Sequence, residues 1–245
     1  MKRILFVMAV SLFAVHAMAQ KTTTDSTYSA KKKKKGWSNV IGDRANDHFM
    51  FQVGYSDFLN KQDSVGTKGI GRSLNGYFML DFASKTDNRF SLGVGLGFGT
   101  DNYYLNKETV DLTNPTRITF ITDTATQFRK SKLTAGYFEA PIEGRYSSNP
   151  GDPNRAWKFA LGVKLGALLS IHTKEKIIRD INGLTDYTLK QKDNHMFNPI
   201  RAAGYFRFGY GVFSLFGQVD ISSFIKQGEG PAIRPYTAGI TISGL

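Results

Sequence analysis

The sequence predicts an all-β protein, an eight-stranded antiparallel up-and-down barrel that crosses a membrane. Three observations point there. Residues Phe90 to Gly99 alternate large apolar and small residues without a break, which is the period of two of a strand with unlike faces. Other segments of about ten residues repeat the alternation, the length a tilted strand needs to cross a bilayer. The connections between them run alternately long and short, as in barrels with short turns on one side of the membrane and long loops on the other.

The strands follow in order from about Asp47. The first, Phe49–Phe58, sets Phe49, Phe51, Val53 and Tyr55 against Met50, Gln52, Gly54 and Ser56. The second, Ser73–Ala83, sets Leu74, Phe78, Leu80 and Phe82 against Asn75, Tyr77, Met79 and Asp81. The third opens with Phe90, Leu92, Val94, Leu96 and Phe98 against Ser91, Gly93, Gly95, Gly97 and Gly99, and continues toward Tyr103 and Tyr104. The fourth, from about Lys132 to Ser147, opposes Phe138, Ala140, Ile142 and Tyr146 to Tyr137, Glu139, Glu143 and Arg145.

The fifth strand begins at Trp157, and its apolar face runs through Leu169 to Ile171. Its other face carries Lys158, Lys164, Ser170 and His172. The sixth, Ile200–Phe208, places Arg201, Ala203, Tyr205 and Arg207 on one side. The seventh, Val212–Ile221, places Ser214, Phe216, Gln218 and Asp220 there. The last, Tyr236–Leu245, opposes Tyr236, Ala238, Ile240 and Ile242 to Thr237, Gly239, Thr241 and Ser243.

The long connections are 59–72, 105–131, 173–198 and 222–233; the short ones are 84–88, 148–155 and 209–211. Phe82/Phe90, Tyr146/Trp157 and Phe208/Phe213 flank the three short turns and form an aromatic girdle. Two long connections read as structured. Lys174–Lys190 holds Asn182-Gly183, a two-residue hairpin turn between arms that include Tyr187, and makes this the candidate docking hairpin. Asp111–Thr122 holds Asn114-Pro115 before the strand-like Arg117–Ile121. Strands three to six are therefore expected to project as hairpins, and an exposed sheet edge is a docking surface for another chain.

Alternation alone also fits a soluble barrel with the apolar set turned inward. The bulky residues of that set would overfill an eight-strand interior, which side chains only just fit. Glycine at alternate positions weakens an exposed face but makes room in a narrow lumen. With the apolar face on lipid, the lumen receives Asp81, Glu139, Glu143, Arg145, Lys158, Lys164, Arg201, Arg207, Gln218 and Asp220, an ion-paired filling. On the lipid face an Arg or Lys would cost ~2–4 kcal/mol near the midplane.

Met1–Ala19 reads as a secretory signal: Lys2 and Arg3, an apolar stretch from Ile4 to Val15, and Ala17-Met18-Ala19 before the cleavage point. The apolar stretch is shorter than the ~20 residues of a spanning helix. The chain has no cysteine, hence no lipoprotein anchor and no disulfide framework. Residues 20–45 form a disordered Lys-rich periplasmic tail, and 46–245 the barrel of an outer membrane. Much of the net charge of +12 lies in that tail, with Lys31–Lys35 its densest run. The run is either a solvated linker or a contact for anionic headgroups. Nucleic acid is excluded as a partner by the export route.

No dinucleotide fingerprint, P-loop, H-E-x-x-H or G-x-S-x-G is present. His48, His172 and His195 lack metal-ligand spacing, so neither metal nor cofactor is expected. Glu139 with Glu143 reads as lumen filling rather than as an acid/base pair. Ser170 and His172, two apart on the predicted lumen face, are the one nucleophile–base pair worth naming, as in barrels that hydrolyse or transfer lipid A acyl chains.

Gly136-Tyr137-Phe138-Glu139-Ala140-Pro141-Ile142 followed by Arg145-Tyr146, with the signal, the basic tail and the eight strands, resembles the PorT-like outer-membrane β-barrel family. That resemblance covers about residues 46–245 and implies an OmpA/OmpX-type barrel, mostly of unassigned activity. The chain departs from common outer-membrane barrels in ending on Gly244-Leu245 rather than on an aromatic residue. The expected function is non-enzymatic: a structural or protein-docking barrel of the Gram-negative envelope. Its expected partners are outer-membrane lipid, the outer-membrane assembly machinery and a protein at the external loops. The alternatives are a small-solute channel and a lipid A-modifying acyl hydrolase or transferase.

Overall fold

The computed structural model describes residues 48–61, 65–106, 108–112, 117–122, 126–179 and 183–244. The expected signal peptide and Lys-rich tail lie outside the described residues. Among these residues eleven strands occur in order: β1 (Phe49–Leu59), β2 (Arg72–Ala83), β3 (Phe90–Leu105), β4 (Glu108–Asp111), β5 (Thr119–Thr122), β6 (Gln127–Ser147), β7 (Trp157–Arg179), β8 (Thr185–Lys192), β9 (Ile200–Tyr210), β10 (Phe213–Asp220) and β11 (Arg234–Ser243).

Eight of them close a barrel. The pairing runs β6-β3-β2-β1-β11-β10-β9-β7, and β7 returns to pair with β6. The first and last strands meet antiparallel from Met50↔Ser243 to Leu59↔Arg234, so the barrel has no open edge at its waist. The start of β1 and the end of β11 lie at one end, with the three short turns; this is the terminal end. The other, the loop end, carries the long connections.

The two faces of each strand separate as their residues require. Phe98, Leu161 and Leu215 are more than 60% exposed on the outside, while Glu143 and Lys164 are 1% exposed or less within. The alternate glycines of β3 give close approach. A Cβ on Gly97 would lie 2.0 Å from the carbonyl oxygen of Gly76, and one on Gly99 would lie 2.9 Å from Glu139 Oε2. At the terminal end, Trp157 stacks on Phe208 at 5.4 Å and Phe90 meets Tyr146 at 5.2 Å, so residues of the predicted girdle pack across neighbouring strands.

Four features depart from the sequence expectation. β6 starts at Gln127, earlier than Lys132, and β7 continues to Arg179, because each strand keeps pairing with the other beyond the barrel. The last strand is shifted toward the N-terminus, beginning at Arg234 and ending at Ser243. β7 also contains a bulge: Tyr137 pairs with Leu168 but Gly136 with Ser170, leaving Leu169 over. An extra residue on one strand reverses the alternation beyond it. Ile171 is therefore buried rather than lipid-facing, and Ser170 and His172 stand on the outer side, not on the lumen side.

The fourth feature has no counterpart in the periodicity of the sequence. A second apolar core closes the loop end. Phe58, Tyr103 and Phe224 stack together, with Phe58–Tyr103 at 4.1 Å and Tyr103–Phe224 at 5.8 Å. Ile118 and Phe120 from the β4–β5 region, Leu133, Ile171, Phe197 and Ile233 complete it. The 65–71 connection is pinned there by Glu108, whose two carboxylate oxygens each accept the Gly66 N–H at 2.8 Å.

Candidate functional site

The lumen network is built from residues two apart on each strand, since only alternate positions point inward. It has two layers. Nearer the loop end, Arg201 of β9 donates from Nε to Asp220 Oδ2 at 2.8 Å, and from Nη1 to Asp101 Oδ2 at 2.8 Å and Glu139 Oε1 at 3.1 Å. Its guanidinium lies 4.6 Å over the Tyr137 ring. Lys164 donates to Gln218 Oε1 at 2.6 Å, approaches Glu139 Oε2 at 3.6 Å, and sits over the rings of Tyr77 and Tyr205. The Tyr77 hydroxyl donates to Glu139.

The second layer centres on Glu143. Arg207 donates to it through Nη2 at 2.5 Å and Nε at 3.2 Å, Tyr205 through its hydroxyl at 2.6 Å, and Arg145 through Nε at 2.5 Å. Arg145 also reaches Asp81 at 3.5 Å. Lys158 lies at the terminal mouth and, with Asp81 and Arg145, lines a cavity of about 40 Å³. The residues named from the sequence thus fall into one connected interior. Sequence reasoning missed Asp101, although it follows Gly99 on the small-residue face of β3 and the signal was available. Glu139 and Glu143 are held in different layers by different cations, an arrangement that positions charge rather than a shared proton. Each carboxylate is opposed by arginine or lysine, which is what burial of charge demands.

The loop end offers a second surface. Past the apolar belt, β3, β6, β7 and β8 continue as a four-stranded sheet whose inner side bears the apolar core. On its outer side the register aligns Asn102, Thr134, His172 and Lys192 in one cross-strand row, and Tyr104, Lys132, Lys174 and Lys190 in the next. Lys130 opposes Lys176 one row further out. Lys132 Nζ and the Thr134 hydroxyl both donate to Asn102 Oδ1 at 2.9 Å, and Lys130 lies 4.9 Å over the Tyr104 ring. Burial, then the charges of Lys130, Lys174 and Lys190, pulls the Lys132 pKa down.

Of the candidate docking hairpin, Asn182 lies outside the described residues. Gly183 has φ +83°, the left-handed conformation a tight turn needs. Tyr187 pairs with Ile177 on the sheet's inner side. Asn114-Pro115 likewise lies outside the described residues. Ser170 and His172 share no hydrogen bond, and the neighbours that the register brings to His172 are Thr134 and Lys192, not a carboxylate. Among the described residues no group of acidic, histidine or cysteine side chains is arranged to hold a metal ion.

Residues 19–223 match the family described as outer membrane protein beta-barrel domain. The chain belongs to this family. It is accordingly an outer-membrane β-barrel protein, and the exposed apolar belt is its lipid-facing surface. No curated protein is detectably similar to it. Among solved structures, the chain is similar to Ail, the attachment invasion locus protein of Yersinia pestis, in complex with the heparin analogue sucrose octasulfate. Identity is 12%, the alignment covers 80% of this chain and 96% of that one, and the TM-score is 0.33. A likeness at that level bears on neither activity nor ligand.

Proposed function

We propose that this outer-membrane barrel is a non-enzymatic docking element with a closed lumen. It takes a protein partner along the outer edge of β8 at its extracellular end. The observation that carries the reading is the sheet order: among the described residues β8 pairs with β7 alone, while every strand of the barrel has at least two neighbours. An unpaired edge offers main-chain donors and acceptors to an incoming strand. The even strand number leaves both termini periplasmic and the long loops outside, after cleavage of the signal peptide at Ala19. Lipid surrounds the belt, and the assembly machinery inserts the barrel. No cofactor or nucleic acid takes part.

The filled interior supports docking over conduction. Arg201, Lys164 and Glu143 occupy the centre, each bonded across the lumen, whereas diffusion pores use about sixteen strands. The finer PorT-like resemblance rests on Gly136–Ile142, whose Glu139 bonds to Arg201 in the lumen. A lipid A acyl hydrolase or transferase remains the lesser reading, carried only by Ser170 and His172 on the outer side of β7.

A photo-crosslinking residue at Leu189, and another at Phe213 in the belt, tests the docking edge in intact outer membranes. A discrete protein adduct is expected from position 189 alone, and it should vanish when residues 185–192 are replaced by a Gly-Ser segment in a folded barrel. Adducts with lipid only, or equal protein capture at both positions, would overturn the reading. Stable conductance steps from reconstituted protein would overturn the closed lumen.

A further inference from the structure

The outer side of the loop-end sheet carries more like charge than a folded sheet needs. Lys132, Lys174 and Lys190 stand side by side on three adjacent strands, with Lys192 a row below and the Lys130–Lys176 pair a row above. Like charges directly opposite one another destabilise a sheet. On this side of β6, β7 and β8 the register places one carboxylate among the described residues, Asp186, and it lies at the hairpin tip. Self-repulsion of this kind persists where an anion relieves it.

The position of the patch narrows the anion. The lysine side of the sheet continues the lipid-facing side of the barrel; Phe138, Gly136, Thr134 and Lys132 succeed one another along β6. Lys132 and Lys174 lie four residues beyond Gly136 and Ser170, about 13 Å along the strands. With the usual tilt that is about 10 Å further from the midplane, the level of headgroups rather than of acyl chains or bulk water. Beside the rows, Lys68, Arg72, Tyr104, Arg129 and Lys130 line an open groove of about 320 Å³, and Ile70 on its rim is exposed. A groove with several cations, one aromatic face and an apolar rim suits a phosphorylated sugar attached to acyl chains.

We propose that this lysine face and its adjoining groove bind the phosphate groups of an anionic glycolipid in the outer leaflet, fixing the projecting sheet against the membrane surface. The site is the outer face of the sheet, not the β8 edge, so it stands independently of the docking reading. Phosphate held between Lys132, Lys174 and Lys190 gains charge-assisted hydrogen bonds and removes their mutual repulsion. A soluble sulfated polyanion would find the same charges, but it gains nothing from the outward, belt-adjacent placement or the apolar rim.

The test uses the full chain in nanodiscs of neutral phospholipid, doped with phosphorylated lipid A or with the same lipid A after phosphatase treatment. Enrichment of lipid A around the protein is read by native mass spectrometry. Phosphorylated lipid A should be enriched, and K132Q/K174Q/K190Q should lower that enrichment roughly a hundredfold at low salt. Heat-modifiable gel mobility checks that the variant barrel is folded, and K130Q/K176Q provides a second variant should the triple fail to fold. Equal enrichment of both lipid A forms, or an unchanged affinity in the folded variants, overturns the proposal. So does binding of a heparin oligosaccharide with the same lysine dependence while lipid A shows none, since the ligand is then a soluble polyanion. If the variant loses lipid A while the Leu189 protein adduct persists, this site stands and the two readings are separated.

Discussion

Arg201 of β9 and Asp101 of β3 meet across the lumen with Nη1 2.8 Å from Oδ2, although two strands, β6 and β7, lie between theirs on the nearer arc of the barrel. The same guanidinium holds Asp220 and Glu139. One cation therefore ties β3, β6, β9 and β10 together through a single planar group. Truncating it to Met leaves three buried carboxylates with Lys164 as the remaining cation in that layer. Arg201→Met is expected to lower stability by about 3–5 kcal/mol, read as a shift in urea-induced unfolding in lipid. Adding Asp101→Asn and Glu139→Gln should recover part of that loss, and a triple variant no better than the single would count against the network.

The β3 glycines set up a sharper contrast. Gly97→Ala drives a methyl against the Gly76 carbonyl and the Tyr77 backbone, and overpacking of this kind costs about 1–3 kcal/mol. At Gly204, on the outer side of β9, an added Cβ meets nothing within 4 Å, so Gly204→Ala should be neutral or stabilising by up to about 1 kcal/mol. Equal effects at the two positions would remove close approach as the reason for the glycines.

Deleting Leu169 would restore an unbroken alternation along β7. Gly136↔Ser170 and Ala135↔Ile171 would stay paired, so Ile171 would keep its place in the apolar core and His172 its place on the outer side. The barrel below the bulge keeps its register with β9 from Trp157 to Ala167. Hydrogen exchange should show β8 and the far ends of β6 and β7 as well protected as before, with β9 to β11 unchanged. Loss of protection confined to β8 and the far ends of β6 and β7 would show that the projecting sheet needs the bulge.

His172 reports on the lysine rows. Burial first, then Lys190, Lys132, Lys192 and Lys174, holds its pKa below the ordinary 6.5. Asn102 and Thr134 are its other neighbours in the row. A base whose pKa falls on folding binds fewer protons when folded. Its stabilising contribution is therefore complete above pH 6.5 and is lost as pH falls from there through the lower folded pKa. An NMR titration of the imidazole should find this depression, and Lys190→Gln should lift the pKa toward 6.5; no change in the variant would refute the electrostatic coupling.

The barrel was legible because lipid and lumen make opposite demands at alternate positions, as at Phe98 and Gly99, so the sequence carries the period of two at full amplitude. The lumen charges were legible for the same reason. The Leu169 bulge was not: Leu169 and Ile171 preserve an apolar alternation while their surroundings change from lipid to a buried core, and hydrophobicity is blind to which greasy phase receives it. The core at the loop end was also hidden. Phe197, Phe224, Ile225 and Ile233 come from connections without periodicity, and they meet only after the strands have brought their loops together. Lys130, Lys132, Lys174 and Lys176 are spread over two strands, and their alignment depends on a register that spacing along one strand does not reveal.

The apolar core at the loop end also decides where this chain can change. A connection whose residues are stacked like Phe58, Tyr103 and Phe224 cannot lengthen or diverge freely, even though it lies on the outside of a membrane. Among the described residues, freedom is left to the turn tips at Gly69, Gly183 and Gly228, where no atom lies within 4 Å of an added Cβ. Their left-handed φ values of 81°, 83° and 88° disfavour ordinary side chains there but not an inserted segment. Descendants of this sequence should therefore vary at a few points and hold the rest of their outer surface nearly constant. Epitope tags placed at those points should leave barrel assembly untouched.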